Sequence, residues 1–249
     1  QSCTSHDLGQ HFSEVFDISF QDKQGNTENV WQTSWGLTTR SIGALVLAHG
    51  DDHGLRLPPK IAPIQVAIVP VKMSGKSYDY SEKITELLKD MGVRAELDTR
   101  DDESFGFKVN KWESKGVPVV LKLGEREADA ETISYRRRDT LEDGTFSSSE
   151  MKTFVPELLE TIQNNMLVQS TEFRNKNTRE AKNYEEFKKI IKQHKGFVKV
   201  HWNDDAKNEA KIKEETKATS RLKLSEQSEG VDFYTGEPTK DVWLFAQSY

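Results

Sequence analysis

The sequence predicts a multidomain protein built from α/β and α+β parts. In the middle part, apolar runs of strand length alternate with amphipathic helical patterns, which is typical of an α/β domain. A proline-rich stretch at residues 55–63 precedes this alternation, and a highly charged composition follows it. These observations divide the chain into residues 1–63, 64–167 and 168–249.

The first part contains a strand followed by a helix. Residues 30–36 form a short aromatic run typical of a strand. In the following TTRSIGALVLAHGDD, apolar residues recur at the spacing of one helical face, and Gly50 is a suitable end for the helix. Prolines at residues 55–63 cannot continue a helix, so we expect an extended linker that closes this part.

The middle part alternates strands and helices. Four segments read as strands: residues 64–71, 93–98, 117–124 and 132–139. Three segments have helical spacing: residues 77–92, 106–116 and 151–166. This βαβαββα order predicts one α/β domain with a mostly parallel or mixed sheet and helices packed on it.

The third part reads as a small α+β module. Two highly charged segments, residues 171–194 and 206–222, are predicted helices. Residues 197–202 form a short predicted strand between them. The last 17 residues, 233–249, are apolar and aromatic, and we expect them to form a hairpin.

The composition excludes several classes of protein. The chain has 249 residues and a formal charge of -6, and a mean hydropathy of -0.73. It has no apolar stretch of membrane-spanning length and no signal-peptide pattern, so we expect a cytoplasmic protein. The single cysteine, Cys3, excludes an internal disulfide framework and a zinc site of several thiolates. Because the chain begins at Gln1 inside a motif, we interpret it as a fragment.

Two polar motifs in the first part offer groups for a ligand. Thr4, Ser5 and His6 can orient a carboxylate, an amine or a phosphate, although alone they are better explained as a polar loop with a helix cap. In GLTTR, two threonines begin a helix and Arg40 lies one turn inside it. Free N–H groups at a helix start and an arginine both suit a phosphate. A threonine-capped helix with a solvated arginine is the alternative.

Basic and aromatic residues are interleaved in the middle part. They are Lys108, Lys111, Trp112, Lys115, Arg126 and Arg136–Arg138. Such a set suits single-stranded RNA, whose bases stack on rings, but solvated helix faces with Trp112 in the core are the alternative. Glu113 would specify a base by accepting hydrogen bonds from its exocyclic amine, or would merely pair with Lys108 or Lys115 on its own helix.

Four motifs occur in order along the chain. They are QSCTSHDLGQHFSEVFDISF, WQTSWGLTTRSIGALVLAHGDDHGLRLPP, WESKGVPVVLKLGER and the terminal WLFAQSY. The first resembles the Q-x-x-TSH-x-LGQ-x-F stretch of prolyl-tRNA synthetases of the archaeal/eukaryote-like type, and the second resembles their class II motif 3. The third is similar to the W-E-x-K-G-V-P segment of the family's anticodon-binding domain, and the fourth to its L-F-x-x-S-Y terminus. The matches span almost the entire chain.

The resemblance implies a ligase that uses ATP and Mg²⁺ to convert proline to prolyl-adenylate and then charges tRNA(Pro). Residues 1–63 would be the C-terminal part of the catalytic domain, an antiparallel sheet with the motif 3 helix. Residues 64–167 would be the anticodon-binding domain and residues 168–249 the family's C-terminal domain. Family positions that contact ATP match Gln1, Thr4, Thr38 and Arg40. Those that contact proline or form its pocket match His6, Ser34, Trp35 and Gly36.

For the anticodon we predict three contacts. Proline anticodons share two guanines, so the reader needs an acceptor for the exocyclic amine and cations for the O6 and N7 edge and for phosphates. Glu113 is the candidate acceptor, and Lys108 and Arg126 are the candidate cations, because they flank it in the same α/β unit.

The sequence also departs from the family. Motif 1, a dimer element, and motif 2 would precede Gln1, so we expect the fragment alone to be inactive and the homodimer to form through the missing part. The four positions of a structural zinc site in the last domain correspond to Asn203, Asn208, Phe233 and Thr235, none a plausible ligand. We therefore expect no zinc, with aromatic packing in its place. A stand-alone tRNA-binding fragment and an unrelated small-molecule-binding α/β domain are the alternative functions.

Overall fold

The computed structural model describes residues 3–247. They divide into two compact units, one ending at Met166 and the other beginning at Leu167. No helix in the described range is long and apolar enough to cross a membrane.

The first unit begins with a small, mainly antiparallel region. Its elements are β1 (Cys3–Gly9), α1 (His11–Val15), β2 (Ser19–Gln21), β3 (Thr27–Asn29), β4 (Gln32–Leu37) and α2 (Arg40–His49). β1 pairs with β4, and β2 forms a separate hairpin with β3. The predicted strand and helix are confirmed by β4 and α2. β1 was missed because its residues are mostly polar and show no apolar alternation, and α1, β2 and β3 because they are too short to show a period.

The same unit continues as an α/β layer structure. Its elements are β5 (Val66–Pro70), α3 (Lys76–Asp90), β6 (Ala95–Leu97), α4 (Phe105–Ser114), β7 (Val119–Leu123), α5 (Glu125–Ala130), β8 (Thr132–Arg137), β9 (Asp143–Ser147) and α6 (Met151–Lys176). The sheet order is β6-β5-β7-β8-β9. The first three strands are parallel and the last two join antiparallel. The mixed sheet is as predicted, with α5 and β9 added.

The apolar run of β5 is continuous because helices cover both faces of the sheet. Val66 and Ile68 pack in a cluster with residues of α3 and α6. Ala67 and Val69 pack with Trp112 of α4 on the opposite face. β5 is therefore fully buried, and α4 is fixed by its apolar side, with its other side facing outward.

The second unit is a four-stranded sheet with two helices. Its elements after α6 are β10 (Thr178–Glu180), α7 (Tyr184–His194), β11 (Phe197–His201), α8 (Ala206–Thr216), β12 (Ala218–Val231) and β13 (Pro238–Gln247). The sheet order is β10-β11-β13-β12. Phe187 of α7 and Ile212 of α8 are fully buried against Trp202 and Phe245.

Two predicted helices of this unit are wrong in extent. Residues 171–194 do not form one helix, because the chain leaves α6 at Lys176, pairs as β10 with β11, and restarts at Asn183, whose side chain caps α7. The helix predicted at 206–222 ends at Thr216, where Lys217 takes a left-handed conformation. Residues from Ala218 onward form β12, the first strand of a hairpin longer than predicted.

Candidate functional site

The predicted nucleotide and proline residues lie on the β1–β4 ladder. Thr4 is directly opposite Gly36, and His6 is directly opposite Ser34. Cross-strand partners and alternate residues share one face of a ladder, so these four residues form one surface. A Cβ atom at Gly36 would lie 3.8 Å from Oγ1 of Thr4, which confirms the close approach.

Trp35 is the exception among the predicted proline residues. It lies opposite Ser5 in the register, on the other face of the ladder, and its residue surface is 81% exposed. Because successive side chains of a strand point to opposite faces, the indole is separated from His6 and Ser34. The side chain of Trp35 therefore does not share the face of His6 and Ser34, and its predicted place in the floor of the proline pocket would be filled by its main chain.

A cavity of about 500 Å³ opens where β4 runs into α2. Its lining consists of Cys3, Thr4, Gly36, Leu37, Thr38, Thr39 and Arg40. Thr39 is the N-cap residue of α2, and the first turn contains no acidic residue. The positive end of the helix therefore lies at a cavity that is lined by an arginine, and this arrangement suits a phosphate. Gln1, the remaining predicted ATP contact, lies outside the described residues.

The structure places Glu113 beside β8 of the mixed sheet. Its carboxylate lies 2.9 Å from Nε of Arg136 in β8, and its side chain is 14% exposed. The alternative pairing with Lys108 or Lys115 on the same helix is therefore wrong. Arg136 also donates to Asp143 across 3.0 Å, and Lys122 of β7 donates to the other oxygen of that aspartate. The Lys122 ammonium is the main reason that the pKa of Asp143 lies below its ordinary value.

This chain of ion pairs lies on the side of the sheet that α4 covers in part. Arg136 is opposite Val120 in the ladder, and Val120 packs with Trp112 of α4. We call Glu113, Lys122, Arg136 and Asp143 the sheet-face network. Its members are partly exposed, so carboxylate acceptors and cationic donors are available side by side for a polar ligand.

Two other sequence interpretations of α4 are corrected. Lys108 is 2% exposed, and its ammonium donates to the main-chain carbonyl of Arg100 inside the unit. It is therefore not available to a phosphate or a base on the surface. Trp112 is 3% exposed and donates its indole N–H to Asp98 across 2.7 Å. It belongs to the core, which was the alternative interpretation, and offers no stacking surface.

The outward side of α4 carries an aromatic residue that sequence reasoning passed over. Phe107 is 55% exposed, and the ammonium of Lys111 lies 5.8 Å from the centre of its ring. The signal was present in the sequence, because the two residues are four apart and so share a helix face. Arg126, the other predicted cation, is exposed on α5.

A buried aspartate organises the loop region where zinc ligands were considered. Asp232 is 2% exposed, and its carboxylate accepts N–H hydrogen bonds from Asn203, Tyr234 and Thr235 at 2.7–2.8 Å. Phe233 lies in the core 5.4 Å from the ring of Phe245. No group of three metal-binding side chains is present among residues 3–247. The residues at these positions do not fit zinc, and a carboxylate ties the same segments together.

Comparisons with known proteins agree with this architecture. The family model for the anticodon binding domain matches residues 65–158, and the model for the prolyl-tRNA synthetase C-terminal domain matches residues 184–249. The proline–tRNA ligase of Rubrobacter xylanophilus is 45% identical over 252 residues, covering 100% of this chain and 53% of the relative. That of Azobacteroides pseudotrichonymphae is 42% identical over 255 residues, covering 100% and 52%.

A solved structure gives the same result. The crystal structure of prolyl-tRNA synthetase from Cryptosporidium parvum, complexed with L-proline and AMP, superimposes with a TM-score of 0.86 at 34% identity. It covers 100% of this chain and 55% of that one. The chain therefore spans about half the length of the relatives that it matches. It is a homologue of the C-terminal half of the prolyl-tRNA synthetases, of the archaeal/eukaryote-like type, and contains their anticodon-binding and C-terminal domains.

Proposed function

We propose that this chain is the C-terminal half of a proline–tRNA ligase, which activates proline with ATP and transfers it to the 3′ end of tRNA(Pro). The observation that carries the proposal is the identity of 45% over the whole chain to a proline–tRNA ligase. The resemblance assigns Mg²⁺ to the reaction, which would neutralise phosphate charge.

The geometry of the first region supports a role in adenylate formation. Adenylate formation needs charge stabilisation at a phosphorus centre more than it needs a general base. The cavity beside the N-terminus of α2 combines Thr4, Thr38 and Arg40 with the positive end of the helix. His6 and Ser34 continue the same ladder face at the next cross-strand pair, at a position suited to the amino acid. Gln1 stays a proposed ATP contact by resemblance alone.

The surface of this region supports completion by another part of the ligase. Residues 3–50 expose several large apolar side chains: Phe12, Val15, Phe16, Phe20, Trp31, Trp35, Leu37, Ile42 and Leu47. α2 contains no buried residue. So many exposed large apolar side chains within residues 3–50 indicate an interface. We propose that the N-terminal half of the catalytic domain covers it, supplies motifs 1 and 2, and forms the homodimer.

Two assays test the proposal. The full-length cytoplasmic ligase is expected to catalyse proline-dependent exchange of pyrophosphate into ATP and to charge tRNA(Pro). The 249-residue chain alone is expected to bind tRNA(Pro) without either activity. A full-length protein that binds tRNA but never activates proline would instead support a tRNA-binding fragment. Absence of tRNA binding by the chain would contradict the proposed anticodon-binding role.

For the anticodon, we propose that Glu113 accepts the exocyclic amine of a guanine. Its carboxylate is already fixed by Arg136, and Lys122 and Asp143 continue the sheet-face network. Arg136 replaces Lys108 as the cation for the guanine O6 and N7 edge, because Lys108 is buried. Phe107 offers a ring for base stacking, and Arg126 is retained as a phosphate contact.

Charging of altered transcripts separates these roles. Glu113→Gln is expected to cost about 1–3 kcal/mol with wild-type tRNA and to relax discrimination at one anticodon base. Arg126→Ala should weaken all transcripts alike and reduce the salt slope by about one. If Glu113→Gln charges every anticodon variant with wild-type relative efficiency, the carboxylate is structural and the assignment fails.

A further inference from the structure

The segment that follows α2 is attached to the C-terminal end of α4. The N–H of Leu55 donates to the carbonyl of Ser114 across 2.9 Å, and the N–H of Leu57 donates to the carbonyl of Gly116 across 3.1 Å. The two backbones approach so closely that position 54 must be glycine, since a Cβ atom there would lie 2.5 Å from the carbonyl oxygen of Ser114. The chain that leaves the nucleotide cavity is therefore tied to the helix that carries Glu113.

Arg138 is the side chain that joins the two elements. It is 2% exposed, and its Nε donates to the main-chain carbonyl of Glu113 across 2.8 Å. Its two terminal nitrogens donate to the carboxylate of Asp51 at 2.8 and 2.5 Å. Such a two-pronged contact fixes direction as well as distance, because the guanidinium fork is planar.

Asp51 comes two residues after the end of α2. Its carboxylate also accepts the N–H of His53 at 2.9 Å, and its main chain forms a reciprocal pair of hydrogen bonds with Gly54. The Arg138 guanidinium is the main reason that the pKa of Asp51 is lowered to about 2. Asp51 is therefore charged and held in one orientation over the whole range of physiological pH.

We propose that Arg138 and Asp51 are positioning residues through which an anticodon bound at Glu113 sets the position of α2 and of Arg40 at its start. The inference rests on the proposed function and deepens it. β8 and the residue after its end hold both ends of Glu113: Arg136 in β8 binds its carboxylate, and Arg138, which follows β8, binds its carbonyl. A base that binds the carboxylate of Glu113 therefore acts on Arg136 and, two residues further along the chain, on Arg138. Arg138 in turn holds Asp51.

The position of α2 makes this attachment effective. Within residues 3–247 the helix has no buried residue of its own, so among the described residues the Asp51 turn is its attachment to the α/β layer. Its C-terminal end is defined by Gly50 and by the Asp51 turn. Ten residues of helix rise about 15 Å, so a small rotation at Asp51 is carried rigidly to the phosphate-binding end.

Kinetics of the full-length ligase test this coupling. In the wild type, replacing an anticodon guanine is expected to lower kcat for charging by at least about 5-fold, in addition to raising KM for tRNA. In Asp51→Asn, the kcat ratio between correct and altered tRNA should fall to within about 2-fold of one, while the KM ratio persists. Arg138→Lys should show the same collapse, because it keeps a cation but loses the fork.

The controls make each outcome decisive. Asp241→Asn removes another ion-paired aspartate, which lies 2.5 Å from Lys223 in the second unit, and should keep the wild-type kcat ratio. The proposal is overturned if both Asp51→Asn and Arg138→Lys keep the wild-type kcat ratio between correct and altered tRNA. It is also overturned if Asp241→Asn lowers that ratio as much as they do. A wild type whose anticodon changes act on KM alone also overturns it, while charging itself still supports the proposed function. A ligase that never charges tRNA(Pro) overturns both.

Discussion

The stability of the second unit is expected to depend strongly on the buried carboxylate of Asp232. Its carboxylate is 2% exposed and accepts three backbone N–H groups, one on Oδ2 from Asn203 and two on Oδ1 from Tyr234 and Thr235. In Asp232→Asn, Oδ1 can still accept two bonds, but an amide NH₂ then faces the N–H of Asn203. One lost bond and one unsatisfied donor cost about 2 kcal/mol. Asp232→Ala loses all three bonds, at about 1 kcal/mol or more each, for about 3–4 kcal/mol.

Amide hydrogen exchange in the intact chain measures the loss of stability in these Asp232 variants without assuming that both units unfold together. Peptides covering β11 and β13 report the opening of the sheet that this loop closes. Since 1.4 kcal/mol is a factor of ten, Asp232→Asn should speed their slowest exchange about 30-fold and Asp232→Ala at least about 100-fold. Asp205→Asn is the matched control, because it changes an exposed aspartate that caps α8 through one bond and asparagine caps equally well. The reasoning is refuted if Asp232→Asn exchanges as slowly as Asp205→Asn.

Three further predictions concern metal, nucleotide and acid. We expect elemental analysis to find less than about 0.1 zinc per chain, and a chelator to leave the amide hydrogen exchange of β11 unchanged. The reason is that the residues at the four zinc positions, Asn203, Asn208, Phe233 and Thr235, are not zinc ligands. One tightly bound zinc per chain would contradict this prediction. In the full-length ligase, Arg40→Ala should lower pyrophosphate exchange roughly 10²-fold by loss of a phosphate contact, and His6→Ala should chiefly raise KM for proline; wild-type rates for Arg40→Ala would remove it from the active site. In the folded chain the pKa of Asp51 is lowered from 3.8 to about 2. This shift adds about 2 kcal/mol to the free energy of unfolding above pH 3.8, and the contribution is lost as the pH falls from 3.8 through 2. Acid titration of unfolding in that window should therefore be steeper for the wild type than for Asp51→Asn, and equal slopes would show that the pair is not stabilising.

The sequence alone determined the α/β order of the middle part, and the resemblance of its motifs supplied the proposed site residues of the first part. Apolar runs such as that of β5 identify a strand covered on both faces, because only a strand buried on both sides lacks polar alternation. The pairing of Thr4 with Gly36 and of His6 with Ser34 was implied by no periodicity. These residues were proposed through the resemblance of their motifs, and only the ladder shows that they share one face.

Tertiary structure decided what each polar residue touches. Lys108 and Glu113 look alike in sequence, as charged residues of one helix, yet one ammonium is buried against a carbonyl and the other side chain pairs with β8. Arg138 has no local signal, since its partner Asp51 lies 87 residues away in the chain, and the bond that ties Asp232 to Asn203 spans 29 residues. Helical spacing shows which side of a segment is apolar, but it contains no information about which distant strand packs on that side. Burial, and with it the cost of each charge, is therefore set by contacts that only the folded chain creates.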